Sequence, residues 1–471
     1  MISFRVTEAV QRVGRPVRPA RFFAGSGAVL TAAALAMAPA SAPAATNVSL
    51  SSAAAAVAAP RGAIGGQSVA DFYAARGGRP LWFAPGNEQA ASDLLMLLNT
   101  AALDGLNPKR YRVRDLQRAM RSAWGGNPVA RQRAEMLLSQ AFATYVRDLR
   151  HAPNVGVIYV DPQLRAQAPS PRAALQAAAT APSLPQYVAA MGWMHPFYGQ
   201  LRGTLTHTRD PRERALLTVN MERARLLPAA NSGRYVLVNA AGQRLYMFNG
   251  NEVQDSMRVV VGKPAQPTPM MAALIRFTSL NPYWNVPPDL VAERIAPNVL
   301  KQGTPYLRAK GYQVLSDWGD KAKVISPATI DWRAVAAGRK EIRVRQLPGP
   351  ANSMGDMKFM FPNAQGIYLH DTPSTELFGE AARFFSGGCV RLEAAPRLAS
   401  WLYGKPLRAK GARPEQKVSL PQPVPVYLTY LTAVPSGGGQ VAFFDDSYRK
   451  DATRLAQLHG SKRARGLFGG R

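Results

Sequence analysis

The hydrophobic period of this chain changes at Arg234, and that change limits the folds open to it. Before it, apolar residues recur at helical spacing. Leu94, Leu95, Leu97 and Leu98 fall within residues 90–103, and Ala134, Leu137, Leu138, Ala141, Tyr145 and Leu149 share one face of 130–149. Asp104-Gly105-Leu106-Asn107-Pro108 ends the first of these helices with a glycine and a proline just beyond it. Residues 169–182 read as a weaker helix between prolines, and 213–226 as another, ended by Pro228. After Arg234 come short strands: Tyr235 to Asn239, Gln243 to Phe248 and Glu252 to Val261, separated by Ala241-Gly242 and Asn249-Gly250-Asn251. A run of helices followed by a run of strands predicts an α+β protein, with a helical domain over 69–227 and a mainly β domain over 228–450.

Within the β region, Thr268-Pro269 and Asn281 to Pro288 are proline-dense loops. Residues 290–300 suggest a short helix, and 301–345, with Tyr312, Trp318 and Trp332, suggest an insertion that covers a site. Met357 to Phe361 and Gly366 to His370 are further strands. On the second, Ile367 and Leu369 share one face, and Tyr368 and His370 the other. The chain closes with strands at 424–430 and 441–444.

Arg5, Arg12, Arg15, Arg18 and Arg21, then the apolar run Ala28 to Ala38, then Ala42-Pro43-Ala44 read as a signal peptide over 1–44. Residues 45–68, rich in Ser, Ala and Gly, read as a disordered leader, and 451–471 as a basic tail. Export is the expectation. The formal charge is +29, and removing the five arginines and Glu8 of the leader leaves the chain strongly basic. Such an excess favours an anionic partner. Zinc-finger, helix-turn-helix and RRM signatures are absent, so no nucleic acid is expected, and electrostatic association with anionic envelope polymers is. His151, His195 and His207 lack metal-ligand spacing, and neither a metal nor a cofactor is called for.

Cys389 is the only cysteine in 471 residues, so it cannot form an internal disulfide. It follows Ser386-Gly387-Gly388, where the backbone can bend and leave N–H groups free, and precedes Arg391. His370 lies upstream at a strand end. A thiol, a base and free N–H groups are what nucleophilic acyl transfer needs. A small buried hydrophobe is the competing reading of a lone cysteine. A helix predicted over 393–402 would favour the thiolate if it began directly behind the cysteine.

His370-Asp371-Thr372-Pro373, the gap to Ser386, and Ser386-Gly387-Gly388-Cys389-Val390-Arg391 resemble the signature of the YkuD-type L,D-transpeptidases. Residues 234–261, Thr268-Pro269-Met270, 281–288, 345–371 and 425–446 resemble the larger, YcbB-like Gram-negative branch, as do 72–83 and 104–111 its helical scaffold domain. The resemblance implies a helical N-terminal scaffold domain, a mainly β YkuD-type catalytic domain, and a substrate-capping insertion over about 290–344. Gly387 stands where most of the wider family has histidine. The compact wall-binding domain that many YcbB-like proteins carry is not evident, because Thr206 to Arg212 leads directly into the helix before Pro228.

The implied activity is peptidoglycan L,D-transpeptidation. Cys389, served by His370 as general base and acid, would take the acyl group of a tetrapeptide stem, release D-alanine, and pass the thioester to a second stem, forming a 3-3 cross-link. The donor and acceptor stems are thus the implied partners. Gly387, Gly388, Asp371 and Ser386 are the candidate oxyanion or loop residues: backbone N–H groups around Gly388 and Cys389 for the oxyanion, the Asp371 carbonyl for orienting the imidazole, Ser386 for shaping the loop. Arg391, Tyr368, Trp284 and Asn285 are candidate substrate-binding residues, against the alternative that the arginine stabilises its own loop and the aromatics only pack. Resolution of the thioester by water or a D-amino acid, attachment of a lipoprotein, and a non-catalytic wall-binding scaffold stay open.

Overall fold

The computed structural model describes residues 68–458, apart from Ala152 and Asn231. The expected signal peptide, most of the leader and the end of the basic tail lie outside them. The helical region comprises α1 (Val69–Ala75), α2 (Glu88–Asn99), α3 (Val113–Trp124), α4 (Pro128–Arg150), α5 (Pro171–Ala179), α6 (Leu184–Ala189), α7 (Pro196–His207) and α8 (Pro211–Ala224). Most carry their caps in the sequence. Ser68 and Asp71 form a capping box on α1, Asn127 caps α4 with Pro128 at its first position, and Asp210 caps α8 two residues after α7 ends at Thr208.

Two buried carboxylates organise this domain. Glu135, on α4, accepts the backbone N–H groups of Leu81 (2.5 Å), Trp82 (3.0 Å) and Phe83 (3.1 Å), together with the Tyr73 hydroxyl. Those three residues form no regular helix, so the carboxylate satisfies donors that would otherwise be buried without partners. Asp104 accepts from the hydroxyls of Tyr145 and Tyr198, each at 2.7 Å, and from Arg202 Nε at 2.8 Å. Arg202 also caps the end of α2 through the Thr100 carbonyl. The sequence shows Asp104 as part of a helix stop, and the structure makes it the counter-ion of a buried arginine as well.

The β region contributes β2 (Arg234–Asn239), β3 (Arg244–Asn249), β4 (Glu252–Gly262), β5 (Met271–Leu280), β6 (Trp284–Val286), β7 (Tyr312–Leu315), β8 (Val324–Ile325), β9 (Arg343–Gln346), β10 (Met357–Met360), β11 (Leu369–His370), β12 (Phe384–Ser386), β13 (Val390–Leu392) and β14 (Gln416–Thr429); β1 (Ile158–Tyr159) comes from the helical region. The order β5-β10-β11-β13-β4-β3-β2-β14 closes on itself, because β14 pairs antiparallel with β5 along most of its length. Closure removes the free edges of the sheet. The inside is filled by Val236, Val238, Met247, Val259, Ile275, Phe359, Leu369, Val390 and Leu398.

The outer side of β2, β3 and β14 joins the helical core, where Tyr235, Leu237, Phe248 and Tyr427 pack among its residues. That explains why β2 reads as a continuous apolar run: both of its faces are buried. His195 bridges the two regions. Its Nδ1 accepts the Phe197 N–H at 3.1 Å and its Nε2 faces the Tyr235 hydroxyl at 3.0 Å, so the ring is neutral and holds its proton on Nε2. Burial lowers its pKa to about 3. Arg223 on α8 donates to the Tyr430 carbonyl and the Asp451 carboxylate, tying the C-terminal segment to both regions.

Residues 284–346 form a separate lobe, with the sheet order β6-β9-β7-β8 and its own core of Val286, Ile295, Val299, Val314, Trp332 and Val344. It begins earlier than residue 290, so Trp284 and Asn285 belong to it. The expected short helix is one stretch, Pro288 to Gln302, with a π turn over Val291–Ile295.

Replacing Asp104 by alanine strands a guanidinium with 7% exposure and two buried hydroxyls. The expected cost is about 3–5 kcal/mol, read from urea unfolding followed by tryptophan fluorescence. A loss under about 1 kcal/mol would mean that water reaches Arg202 and the charge is not stranded.

Candidate active site

The site is built on the pairing of β11 with β13. These strands run parallel, with Leu369 opposite Val390 and His370 opposite Arg391. Leu369 and Val390 enter the barrel core, so the alternation of side chains places His370 and Arg391 on the outer face. Tyr368 and Cys389, two residues before each, lie on that same face, and Lys358 joins them because β10 sets it opposite His370. Strand parity in the sequence therefore identifies the correct face for His370.

His370 is 2% exposed. Its Nδ1 lies 2.5 Å from the backbone carbonyl oxygen of Asp371. A carbonyl can only accept, so Nδ1 carries the proton and Nε2 keeps its lone pair. Burial first, and then the Arg391 and Lys358 cations, push the histidine down to about 3. The imidazole is therefore an unprotonated base at neutral pH. The Asp371 side chain does not face the ring; its carboxylate accepts the Asp356 N–H at 2.9 Å.

Cys389 is half-buried, and its Sγ lies 3.5 Å from the Gly366 carbonyl oxygen. Burial raises the thiol, while the Tyr368 N–H and hydroxyl, Arg391 and Lys358 favour the thiolate less strongly. The condition for a helix-dipole contribution is not met. Cys389 is followed by β13, and the next helix begins only at Ala395, so its N-terminus is a strand away from the sulfur. Thiol and imidazole share a face, and no hydrogen bond joins them in this resting arrangement. Such contacts commonly form only when substrate is bound.

The loop before the cysteine is held from both sides. Ser386 Oγ accepts the Gly388 N–H at 3.1 Å and donates to the Cys389 carbonyl at 2.5 Å. That occupies the Gly388 N–H and leaves the Cys389 N–H as the donor available to an oxyanion. Gly388 has φ +115°, and a Cβ there would lie 3.1 Å from Ile367 Cδ1, so this glycine is needed. Gly387 is exposed, and a Cβ there would meet only Gln266 Oε1, at 3.4 Å; the backbone does not require glycine at that position.

Arg391 forms no ion pair among the described residues, and its Nε is buried without a hydrogen-bond partner. A guanidinium left unsatisfied beside a thiol is a ready carboxylate receptor. Tyr368 packs edge-on to His370, with ring centroids 5.9 Å apart, under the Lys358 ammonium. Trp284 and Asn285 sit on β6 of the lobe, where Trp284 contacts Tyr312. The lobe approaches the site elsewhere, through Asp289, which accepts from Gln266 Nε2 at 3.2 Å, and through Arg294, whose charge bears on Arg391. Sequence reasoning missed Lys358 and Arg294. Alternation along Met357-Lys358-Phe359 would have exposed the first; the second has no local signal.

Comparison with known proteins gives two family matches. Residues 67–205 match the scaffold domain, and residues 233–426 match the L,D-transpeptidase catalytic domain named YkuD. A Haemophilus influenzae protein, itself provisionally named an L,D-transpeptidase, is 31% identical over 232 residues. That alignment spans 48% of this chain and 46% of the relative, so the chain covers about half the length of the curated relative it matches. Two solved structures are similar at low identity. The Ldtfm-avibactam carbamoyl enzyme is 13% identical over 43% of this chain and 49% of its own, with a TM-score of 0.21; an L,D-transpeptidase from Mycobacterium smegmatis is 16% identical over 43% and 60%, with a TM-score of 0.19. By these two domain matches, the chain has the domain architecture of a YkuD-type L,D-transpeptidase, with a scaffold domain at 67–205 followed by the catalytic domain at 233–426.

Proposed function

We propose that this protein is a peptidoglycan L,D-transpeptidase that forms 3-3 cross-links between meso-diaminopimelate residues through a thioester on Cys389. The observation that carries the reading is the neutral His370, with its proton fixed on Nδ1 by the Asp371 carbonyl, on one face with Cys389 and the unpaired Arg391, in a domain that matches the family. Attack begins with Sγ leaving the Gly366 carbonyl and turning toward Nε2. Sulfur bonds to the carbonyl carbon at the L-centre of the donor's meso-diaminopimelate, and its proton passes to Nε2. The tetrahedral oxygen takes the Cys389 N–H. Collapse breaks the amide bond to D-alanine, whose amine leaves with the proton from His370. The side-chain amine of a second stem then attacks the thioester, gives its proton to the same imidazole, and restores the thiol.

The electrostatics suit a substrate-dependent base. Burial disfavours both charged forms, and Arg391 and Lys358 further oppose an imidazolium, so the resting pair is thiol and imidazole rather than thiolate and imidazolium. A stem carboxylate on Arg391 would offset that opposition when the proton moves. The lobe at 284–346, reaching the site through Asp289 and Arg294, would cap the bound stem. Together with the scaffold domain, it supports placing the chain in the YcbB-like branch. The leading segment supports export to the periplasm, and the +29 charge supports association with anionic wall polymer.

Incubation with a disaccharide tetrapeptide, followed by mass spectrometry, is expected to give dimer lacking one D-alanine, and none with Cys389→Ala. Loss of D-alanine without dimer would replace the reading with carboxypeptidation; no turnover would sink both. His370→Ala is expected to slow acylation by roughly 10²- to 10⁴-fold. Arg391→Gln is expected to raise KM by about 10- to 100-fold with a smaller effect on kcat, from the loss of a hydrogen-bonded charge; an unchanged KM would return Arg391 to a role in its own loop.

The acid–base state makes a pH prediction. With its pKa lowered to about 3, His370 is unprotonated through the near-neutral range, so the resting histidine sets no acid limb near 6.5. The thiol is raised, so iodoacetamide alkylation of Cys389 should still be climbing at about pH 9. A rate plateau between about pH 5 and 7 would instead reveal a preformed thiolate–imidazolium pair.

A further inference from the structure

Thr268 is 1% exposed and lies behind the nucleophile loop. Its hydroxyl donates to the Gly388 carbonyl at 2.8 Å and accepts the Gly262 N–H at 2.9 Å, which fixes the direction of its single proton. Gly262 is itself fixed: it pairs with Ser386 across β4 and β12, and a Cβ there would run into the Gln266 carbonyl and the Thr268 nitrogen. Tyr448 closes the arrangement from the C-terminal segment. Its hydroxyl donates to the Gly262 carbonyl at 2.6 Å, and its ring stacks on Tyr430 with centroids 5.1 Å apart.

The consequence lies in the peptide joining Gly388 to Cys389. It is trans, so its C=O and N–H point in opposite directions. Thr268 pulls the carbonyl toward the buried side; the Cys389 N–H must then point away from that side. The Gly388 N–H is already taken by Ser386, so this peptide carries the donor left for the oxyanion. Rotating it by a small angle would cost the aim of a donor whose removal is typically worth 10²- to 10³-fold in rate.

We propose that Thr268, backed by Tyr448, is a positioning residue for acyl transfer: it holds the Gly388–Cys389 peptide so that the Cys389 N–H meets the oxygen of the tetrahedral intermediate. The inference rests on acyl transfer at Cys389 and gives the Thr268-Pro269 motif a task. It touches no substrate, and acts through a backbone plane.

Two reagents separate this role from a merely structural one. With p-nitrophenyl acetate, Sγ bonds to the carbonyl carbon, the thiol proton goes to His370, an oxyanion forms, and p-nitrophenolate leaves. With iodoacetamide, Sγ displaces iodide at a saturated carbon, and no oxyanion forms. For Thr268→Val in the full chain, acylation should fall about 100-fold while alkylation stays within about twofold of the parent. Thr268→Ser, which keeps the hydroxyl, should recover most of the acylation rate. Tyr448→Phe should show the same selective loss at about tenfold, and serves as the test if the valine variant does not fold. Unchanged acylation in the variants overturns the proposal, as does a parallel fall in both reactions or a parent no faster than Cys389→Ala with the ester. A parent that is acylated by the ester yet ignores tetrapeptide stems sinks the substrate reading and leaves this one standing.

Discussion

The parallel pairing of β11 with β13 is the contact on which the site depends. Because side chains alternate along a strand, the register that sends Leu369 and Val390 into the barrel also sends His370, Arg391 and Cys389 to the same outer face. A slip of one residue would put aliphatics where the chemistry is and a histidine in the core. The closed ring of strands prevents that slip, since each strand is held on both edges. The chemistry is thus positioned by packing on the other side of the same two strands.

Electrostatics then set the resting state. Burial and two neighbouring cations keep His370 neutral, and burial keeps Cys389 a thiol. Holding the thiol protonated restrains its reactivity until substrate arrives. One of these cations is left unsatisfied: Arg391 has a buried Nε with nothing to bond. A carboxylate in that position would satisfy the arginine and ease proton transfer to the histidine. Binding and activation would share one interaction.

Much of this was legible in sequence because it is local. The helices read over 90–103 and 130–149, the meander of β2 to β4, the parity of His370 and the glycine-flanked cysteine each follow from residues a few positions apart. What escaped depends on distant partners. The helix expected over 393–402 is present at Ala395–Tyr403, but the strand at 390–392 that separates it from Cys389 exists only through its pairing with β4 and β11. That Trp284 and Asn285 open the lobe's small sheet depends on their pairing with β9, some sixty positions later. Glu135 gives no hint in sequence that it receives three backbone N–H groups from residues more than fifty positions earlier.

The sequence by itself determined the α+β division, through its change of hydrophobic period, and singled out one thiol and one histidine as candidates, through their residue types and spacing. Only the tertiary structure decided which N–H is free for an oxyanion and which cations surround the base. It also decided that Thr268 sits behind Gly388, 120 positions along the chain. The physical reason is directional. Periodicity reports which face a residue occupies, whereas a hydrogen bond or a buried charge is defined by a partner whose distance along the chain carries no signal.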